Sequence, residues 1–461
     1  MKHNIKTSIL TIIITIISCL SPDSVSADSK SDIHNSVYCW YDHGIPTDSL
    51  EKTIDICHYL NISDVYTTFT NFDDQVEMIS SLKANGISTY YLTGRSNWYN
   101  NVDMIIEKID KVAEYNISHP DATITGIVLD IEPYTLKEYK ADEITGFSTY
   151  ADTIENAYTY AQSKNIRFVN AIPYWYDNYM IKDKYSDKDR ETAKKAFDKI
   201  FQNADRISVM NYLRRNMTEH MKNEIIYASL YNIEIESTAD LSKTSGTSTN
   251  DETSFYAERN PISSINDSWK DMYQTYGYDK LNFSYHHMHI LLEINIYKEK
   301  KPDYIKSERP ISKANISSEY GSVINNGKGL YMITKGKEAA FVGTSDVTIR
   351  KITIPDKISY KNSYISVTSI SAGAFKDMSI TTLKIGKNVK SIGASAFENC
   401  KKLKRITITG KKLKNIGKNS FKNINKNACF KLKGNKNAKK IMRKRIKKKK
   451  IGYRKTWNIK G

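Results

Sequence analysis

The stretch TGIVLDIEPY, residues 125–134, sets two carboxylates, Asp130 and Glu132, two positions apart at the end of an apolar run. In an extended strand such residues point to one side, shared here with Gly126 and Val128. Two carboxylates held this close resist joint ionisation, so one keeps its proton toward neutral pH. A protonated acid can then donate to a leaving group while an ionised neighbour stabilises positive charge. A third carboxylate, Glu236, closes the later run NIEIES, with Glu234 two residues before it. Glu132 as general acid/base, Glu236 as nucleophile and Asp130 tuning Glu132 would suit hydrolysis of a glycosidic bond. Such carboxyl pairs stand about 5–5.5 Å apart in retaining enzymes and about 6.5–9.5 Å apart in inverting ones. Acids at strand ends also serve as caps or solvated termini, so the elements that carry them must decide.

Candidate substrate-binding residues gather at comparable positions: Asp42, Tyr174, Trp175, Asn211, Tyr212 and His286. Aromatic rings stack on the apolar face of a sugar, and polar groups bond its hydroxyls. His286 and His287 are adjacent, so on a strand they point to opposite faces and do not share a metal. No Cys/His spacing resembles a structural zinc site, and no metal or cofactor is implied.

Short β-branched or aromatic runs alternate with stretches of helical period from residue 36 to residue 300. The strand runs are SVYCWY, DVYTTF, STYYLTG, TGIVLDIE, RFVNAIPYW, RISVMNY, NIEIES and NFSYHH; segments such as RETAKKAFDKIFQNA lie between them. Eight strand–helix units in this length predict an α/β fold, a closed (β/α)8 TIM barrel. An open doubly wound sheet would want a Gly-rich loop after the first strand, and none is present. Chemistry in such barrels sits at the C-terminal strand ends, which is where every candidate above falls. The polar stretch SKTSGTSTNDETS after the seventh strand reads as a mobile rim loop.

On these residues the first part of the chain resembles the glycosidase barrels. Chitinase-type barrels carry Asp-Gly-x-Asp-x-Asp-x-Glu on strand four and Met-x-Tyr-Asp on strand six. This chain keeps Gly126, Asp130, Glu132, Met210 and Tyr212, and departs at Thr125, Val128 and Leu213. The resemblance implies Glu132 as the acid, with Asp130 and Tyr212 assisting. The clan of retaining barrels offers a second resemblance, which implies an acid/base on strand four and a nucleophile on strand seven. A barrel that has lost catalysis and binds a glycan is the alternative that the missing aspartates favour.

Charge divides the chain. Residues 321–461 hold 36 Lys and Arg against 5 Asp and Glu, a balance of +31, and the other 320 residues hold 33 against 46, a balance of −13. Within the basic part Phe375, Phe397 and Phe421 recur at 22 and 24 residues, as do Ile370, Ile392 and Ile416. That period predicts a leucine-rich repeat solenoid, and the copies resemble the Phe-containing repeats of bacterial surface proteins. Three good copies follow a degenerate lead-in. The expected division is a signal peptide at 1–27, the barrel at 36–300, a linker at 301–328, repeats at 329–436 and a basic tail at 437–461.

Lys2 and Lys6, the apolar run 9–20 and Val25-Ser26-Ala27 read as a secretion signal. The expected setting is therefore outside the cell, with noncovalent association to the envelope. Expected partners are a polysaccharide substrate, an anionic envelope polymer at the basic C-terminus and a protein ligand of the repeats. Nucleic acid is not expected in that compartment. The cysteines Cys39, Cys57, Cys400 and Cys429 are too sparse for a disulfide framework and read as buried small hydrophobes.

Overall fold

The computed structural model describes residues 35–40, 44–182, 184–243, 254–299, 321–344, 346–361, 363–409 and 412–461. The signal segment, Asp42, most of the rim loop and most of the expected linker lie outside the described residues. Eight strands close a barrel: β1 (Asn35–Cys39), β2 (Ile62–Thr67), β3 (Ser88–Thr93), β4 (Gly126–Leu129), β5 (Arg167–Pro173), β6 (Arg206–Met210), β7 (Glu234–Asp240) and β8 (Leu281–His286). Each pairs parallel with the next, and β8 pairs parallel with β1. Helices cross between them, as parallel pairing requires. The helix Asp187–Gln202 illustrates why: Ser186 and Asp189 form a reciprocal capping box, and Ala193, Ala196, Phe197 and Ile200 bury one face.

Side-chain alternation separates two cores. Outward-facing Phe168, Ile207, Val209 and Ile235 pack beneath the helices in the main apolar cluster. Inside the barrel, Tyr38, Tyr66, Tyr90, Leu92, Val128 and Val169 form a second cluster. Below it Arg206, 1% exposed, lies 2.7 Å from both Asp64 and Glu234 and 3.6 Å from Glu236. A buried guanidinium needs such counter-charges because desolvation alone would exclude it. The barrel is thus plugged at its lower end by this charged cluster.

The repeats stack as two sheets. Lys351–Ile354, Thr382–Ile385, Arg405–Thr409, Cys429–Lys433 and Asn458–Lys460 make a parallel five-stranded sheet in that order. A second sheet runs from Asn415–Ile416 through Ser391–Ile392, Ser363–Ile370, Glu338–Gly343 and Leu330–Lys335 to Val323–Asn325. Phe341, Phe375, Phe397 and Phe421 stack between them with ring centroids 5.0–5.4 Å apart. Asp377, Asn399 and Asn423 turn the coils in left-handed conformation, and each Asn amide donates to the carbonyl or carboxylate of the previous coil at 2.8 Å. Asn and Asp tolerate that conformation better than other side chains. At Gly393 a Cβ would lie 2.3 Å from the amide nitrogen of Ala372, so adjacent coils abut there.

Two boundaries differ from expectation. The repeat sheets begin with Val323–Asn325, inside the expected linker. The basic tail is folded: the helix Lys436–Ile446 buries Met442 and Ile446 in the repeat core, and Asn458–Lys460 adds a strand. An amphipathic pattern hidden under the lysines explains this cap. Barrel and repeats form one compact unit. Lys222 Nζ donates to Gly373 O at 2.8 Å, and Lys376 pairs with Glu219 at 2.8 Å. Cys39, Cys57 and Cys400 are buried, Cys429 is half-buried, and all four are free thiols.

Candidate active site at the barrel mouth

The strand-four end forms as the alternation dictates. Asp130 lies just past β4, and its N–H still donates to Thr93 O at 3.0 Å. Gly94 makes this approach feasible, because a Cβ there would lie 2.1 Å from Asp130 O. The Asp130 carboxyl is largely buried, and Oδ1 has no hydrogen-bond partner among the described residues. Burial first, then the charge of Glu132, pushes its pKa up to about 7, against a lesser pull from His286. Glu132 is half-buried and accepts a hydrogen bond from the Tyr134 hydroxyl. Trp175 packs edge-on against the Tyr134 ring at 5.0 Å.

Strand seven corrects the reading of Glu236. β7 does not end at that residue but continues to Asp240, paired in register with β8 up to His286. Glu236 is 0% exposed and sits four residues below the strand end, roughly 13 Å at strand rise. Its Oε2 accepts from Ser36 Oγ at 2.8 Å and Tyr66 OH at 3.0 Å, beside Arg206. It belongs to the barrel plug, and the structure does not bring it to the mouth with Glu132.

Asp240 occupies the place expected for Glu236. Its Oδ1 accepts from Ser242 N at 2.9 Å and Ser242 Oγ at 2.6 Å, and lies 3.0 Å from His286 Nδ1. Burial opposes its ionisation, but these donors outweigh burial and hold its pKa below the usual carboxylate value. The indole N–H of Trp40 donates to His286 Nε2 at 3.2 Å. An indole nitrogen only donates, so Nε2 must accept and the imidazole proton sits on Nδ1, facing Asp240. Trp40 is 42% exposed at the mouth.

Tyr212 stands between the two carboxylate groups. Its ring packs on His286 at 5.1 Å, and burial followed by the charges of Asp130, Asp240 and Glu132 raises its hydroxyl pKa strongly. It therefore stays a neutral donor. Beneath it Tyr38 OH bonds Ser208 Oγ at 2.7 Å.

Of the expected residues, Asp130, Glu132, Tyr212, Trp175 and His286 gather at this mouth. Tyr174 does not: it stacks on His220 at 4.5 Å, turned toward the junction with the repeats. Asn211 does not either: its amide donates to Met217 O and Ser237 Oγ, both at 3.1 Å, and holds the loop after β6. Asp42 lies outside the described residues. The reading missed Asp240, Ser242, Trp40 and Tyr134. The period-two series Glu234, Glu236, Thr238, Asp240 was the available signal, masked because STAD lacks bulky apolar residues.

Residues 337–451 match the family described as BspA type Leucine rich repeat region, in six copies. No curated protein matches the chain. Among solved structures it is similar to the catalytic domain of β-amylase from Paenibacillus polymyxa, at 8% identity and TM-score 0.38, over 62% of this chain and 98% of that one. It is similar to the spore cortex-lytic enzyme SleL of Bacillus megaterium, at 14% identity and TM-score 0.36, over 57% and 73%. It is also similar to the endo-β-1,4-mannanase of Thermotoga petrophila, at 10% identity and TM-score 0.39, over 56% and 68%. The chain thus joins a closed eight-stranded parallel barrel to a region, residues 337–451, that matches the BspA type leucine-rich repeat model.

Proposed function

We propose that the protein is an exported glycoside hydrolase whose chemistry is carried by Asp130, Glu132 and Asp240 at the barrel mouth. The observation that carries this reading is the contrast between two carboxyl groups at the C-terminal strand ends: Asp130 Oδ1 is buried without a partner beside Glu132, which favours its protonated form, whereas Asp240 Oδ1 holds three donors, which favour its anion. Environments that push carboxyl pKa values apart assign acid and anion roles. Asp130 supplies the proton, and Glu132 relays it to the glycosidic oxygen. The carbon–oxygen bond then breaks, its electrons pass to the protonated leaving oxygen, and the sugar carbon becomes cationic. Asp240 stabilises that cation, with His286 and Ser242 fixing its orientation. Tyr212 donates to the sugar, and Trp40 and Trp175 provide the apolar walls. Water then forms the new carbon–oxygen bond at the cationic carbon, and its released proton returns through Glu132 to Asp130, which restores the acid. The substrate class is an extracellular polysaccharide, and the repeats keep the enzyme near it.

The test is a panel of cell-envelope and host polysaccharides incubated with the full chain, with release of reducing ends as readout. At least one should be cleaved, and Glu132→Gln should lower turnover about 10²–10⁴-fold. Binding of a glycan by wild type without any release of reducing ends would replace hydrolysis with recognition.

A further inference from the structure

The five-stranded sheet of the repeats turns one face to solvent. The Ile, Leu and Phe of each strand point inward, and the alternate residues point out. In register, one outward row reads Thr353, Lys384, Thr407, Lys431 and Lys460. Strands about 4.8 Å apart place Lys431 and Lys460 side by side. Like charges opposed across strands destabilise a sheet, so the row calls for a counter-charge.

The protein supplies none there. On other parts of the repeats the lysines have partners: Lys390 meets Glu338 at 2.5 Å, Lys422 meets Glu398 at 2.9 Å and Lys387 meets Asp356 at 3.6 Å. Lys384, Lys431, Lys433, Lys439 and Lys460 have no ion-pair partner among the described residues. Four of these, Lys431, Lys433, Lys439 and Lys460, converge on one cleft of about 620 Å³ at the end of the face, floored by Gly434 and Gly461. From the terminal helix Arg443 donates to Ile459 O and, at the cleft, to Gly461 O, and Arg445 donates to Leu413 O.

We propose that this sheet face, with the cleft at its end, binds a linear polyol polymer carrying a phosphodiester in each repeat unit. Lysines line it, and Lys binds phosphate as a point charge that suits a run of singly charged phosphodiesters. Arg405, the arginine of the face, donates to Thr382 Oγ1 from Nη2 at 2.9 Å and from Nε at 3.2 Å. Interleaved threonines add hydroxyl donors for phosphate oxygens. The outward rows hold no aromatic ring, and single-stranded nucleic acid would want rings for its bases. This surface does not depend on whether the barrel hydrolyses a glycan.

The experiment measures binding of fluorescent poly(glycerol phosphate) to the full chain at several salt concentrations. Polygalacturonate and single-stranded DNA of equal charge serve as competitors. One variant carries Lys431→Gln, Lys433→Gln and Lys460→Gln; the other removes equal charge at Lys401, Lys402 and Lys426. All six are exposed, so the core is untouched. The first variant should lose about tenfold or more in affinity and show a shallower salt dependence; the second should stay within about twofold. Equal losses in both variants, no binding by wild type, or tighter binding of either competitor would overturn the proposal.

Discussion

Asp130 and Asp240 carry the same side chain and the same burial pressure, yet their protonation diverges. Asp240 has three donors on one oxygen, and Asp130 faces Glu132 with Oδ1 unpartnered. For Asp130 the folded-state pKa is raised from 3.8 to about 7. The folded state therefore binds the proton more tightly, and the stability gained is complete below pH 4 and lost as pH rises through 7. Asp130→Asn should consequently raise the midpoint of thermal unfolding at pH 8, by the equivalent of on the order of 1–4 kcal/mol, and change it little at pH 4. Calorimetry at the two pH values checks this. Turnover by the wild type should likewise fall above about pH 7, as Asp130 loses its proton. At this scale the sequence made Asp130, Glu132, Tyr212 and His286 legible, because each sits at the end of an apolar run. Asp240 was hidden because Ser237, Thr238 and Ala239 look like loop residues until β8 pairs with them.

At the scale of elements, alternation of period-two and helical segments was enough to count eight strands. It could not fix where a strand stops, and a four-residue error on β7 moved the anionic carboxylate from the mouth to the plug. The repeats show the complementary case. The recurrence of Phe375, Phe397 and Phe421 exposed three coils, whereas the family comparison finds six copies. The others replace the spacing but keep the fit, as Phe341 does by joining the stack ahead of Phe375. Phe397 is fully buried between Phe375 and Phe421. Phe397→Ala should therefore destabilise the repeats by about 3–5 kcal/mol, measured by urea unfolding. A loss under about 1 kcal/mol would mean that the coils do not depend on the stack.

For the whole molecule, the charge division between an acidic body and a basic end was readable from composition. What composition could not supply is how the two meet. Lys222, 9% exposed, reaches across to Gly373 O, and burial pushes its pKa down to about 8. Lys222→Met would remove this hydrogen bond across the junction and leave Gly373 O only the Lys376 N–H at 3.2 Å, a loss of about 1–3 kcal/mol. Amide hydrogen exchange in residues 372–378 and 217–222 should then quicken by about tenfold or more, with β1–β8 unchanged. Unchanged exchange at the junction would show that this contact does not join the two parts.

The central claim is that hydrolysis belongs to the mouth carboxylates. The direct measurement is kcat/KM of Asp240→Asn and Glu132→Gln on whichever polysaccharide the wild type cleaves. The account predicts that each variant loses at least about a hundredfold while remaining folded at the assay temperature. Wild-type turnover in either variant would contradict it.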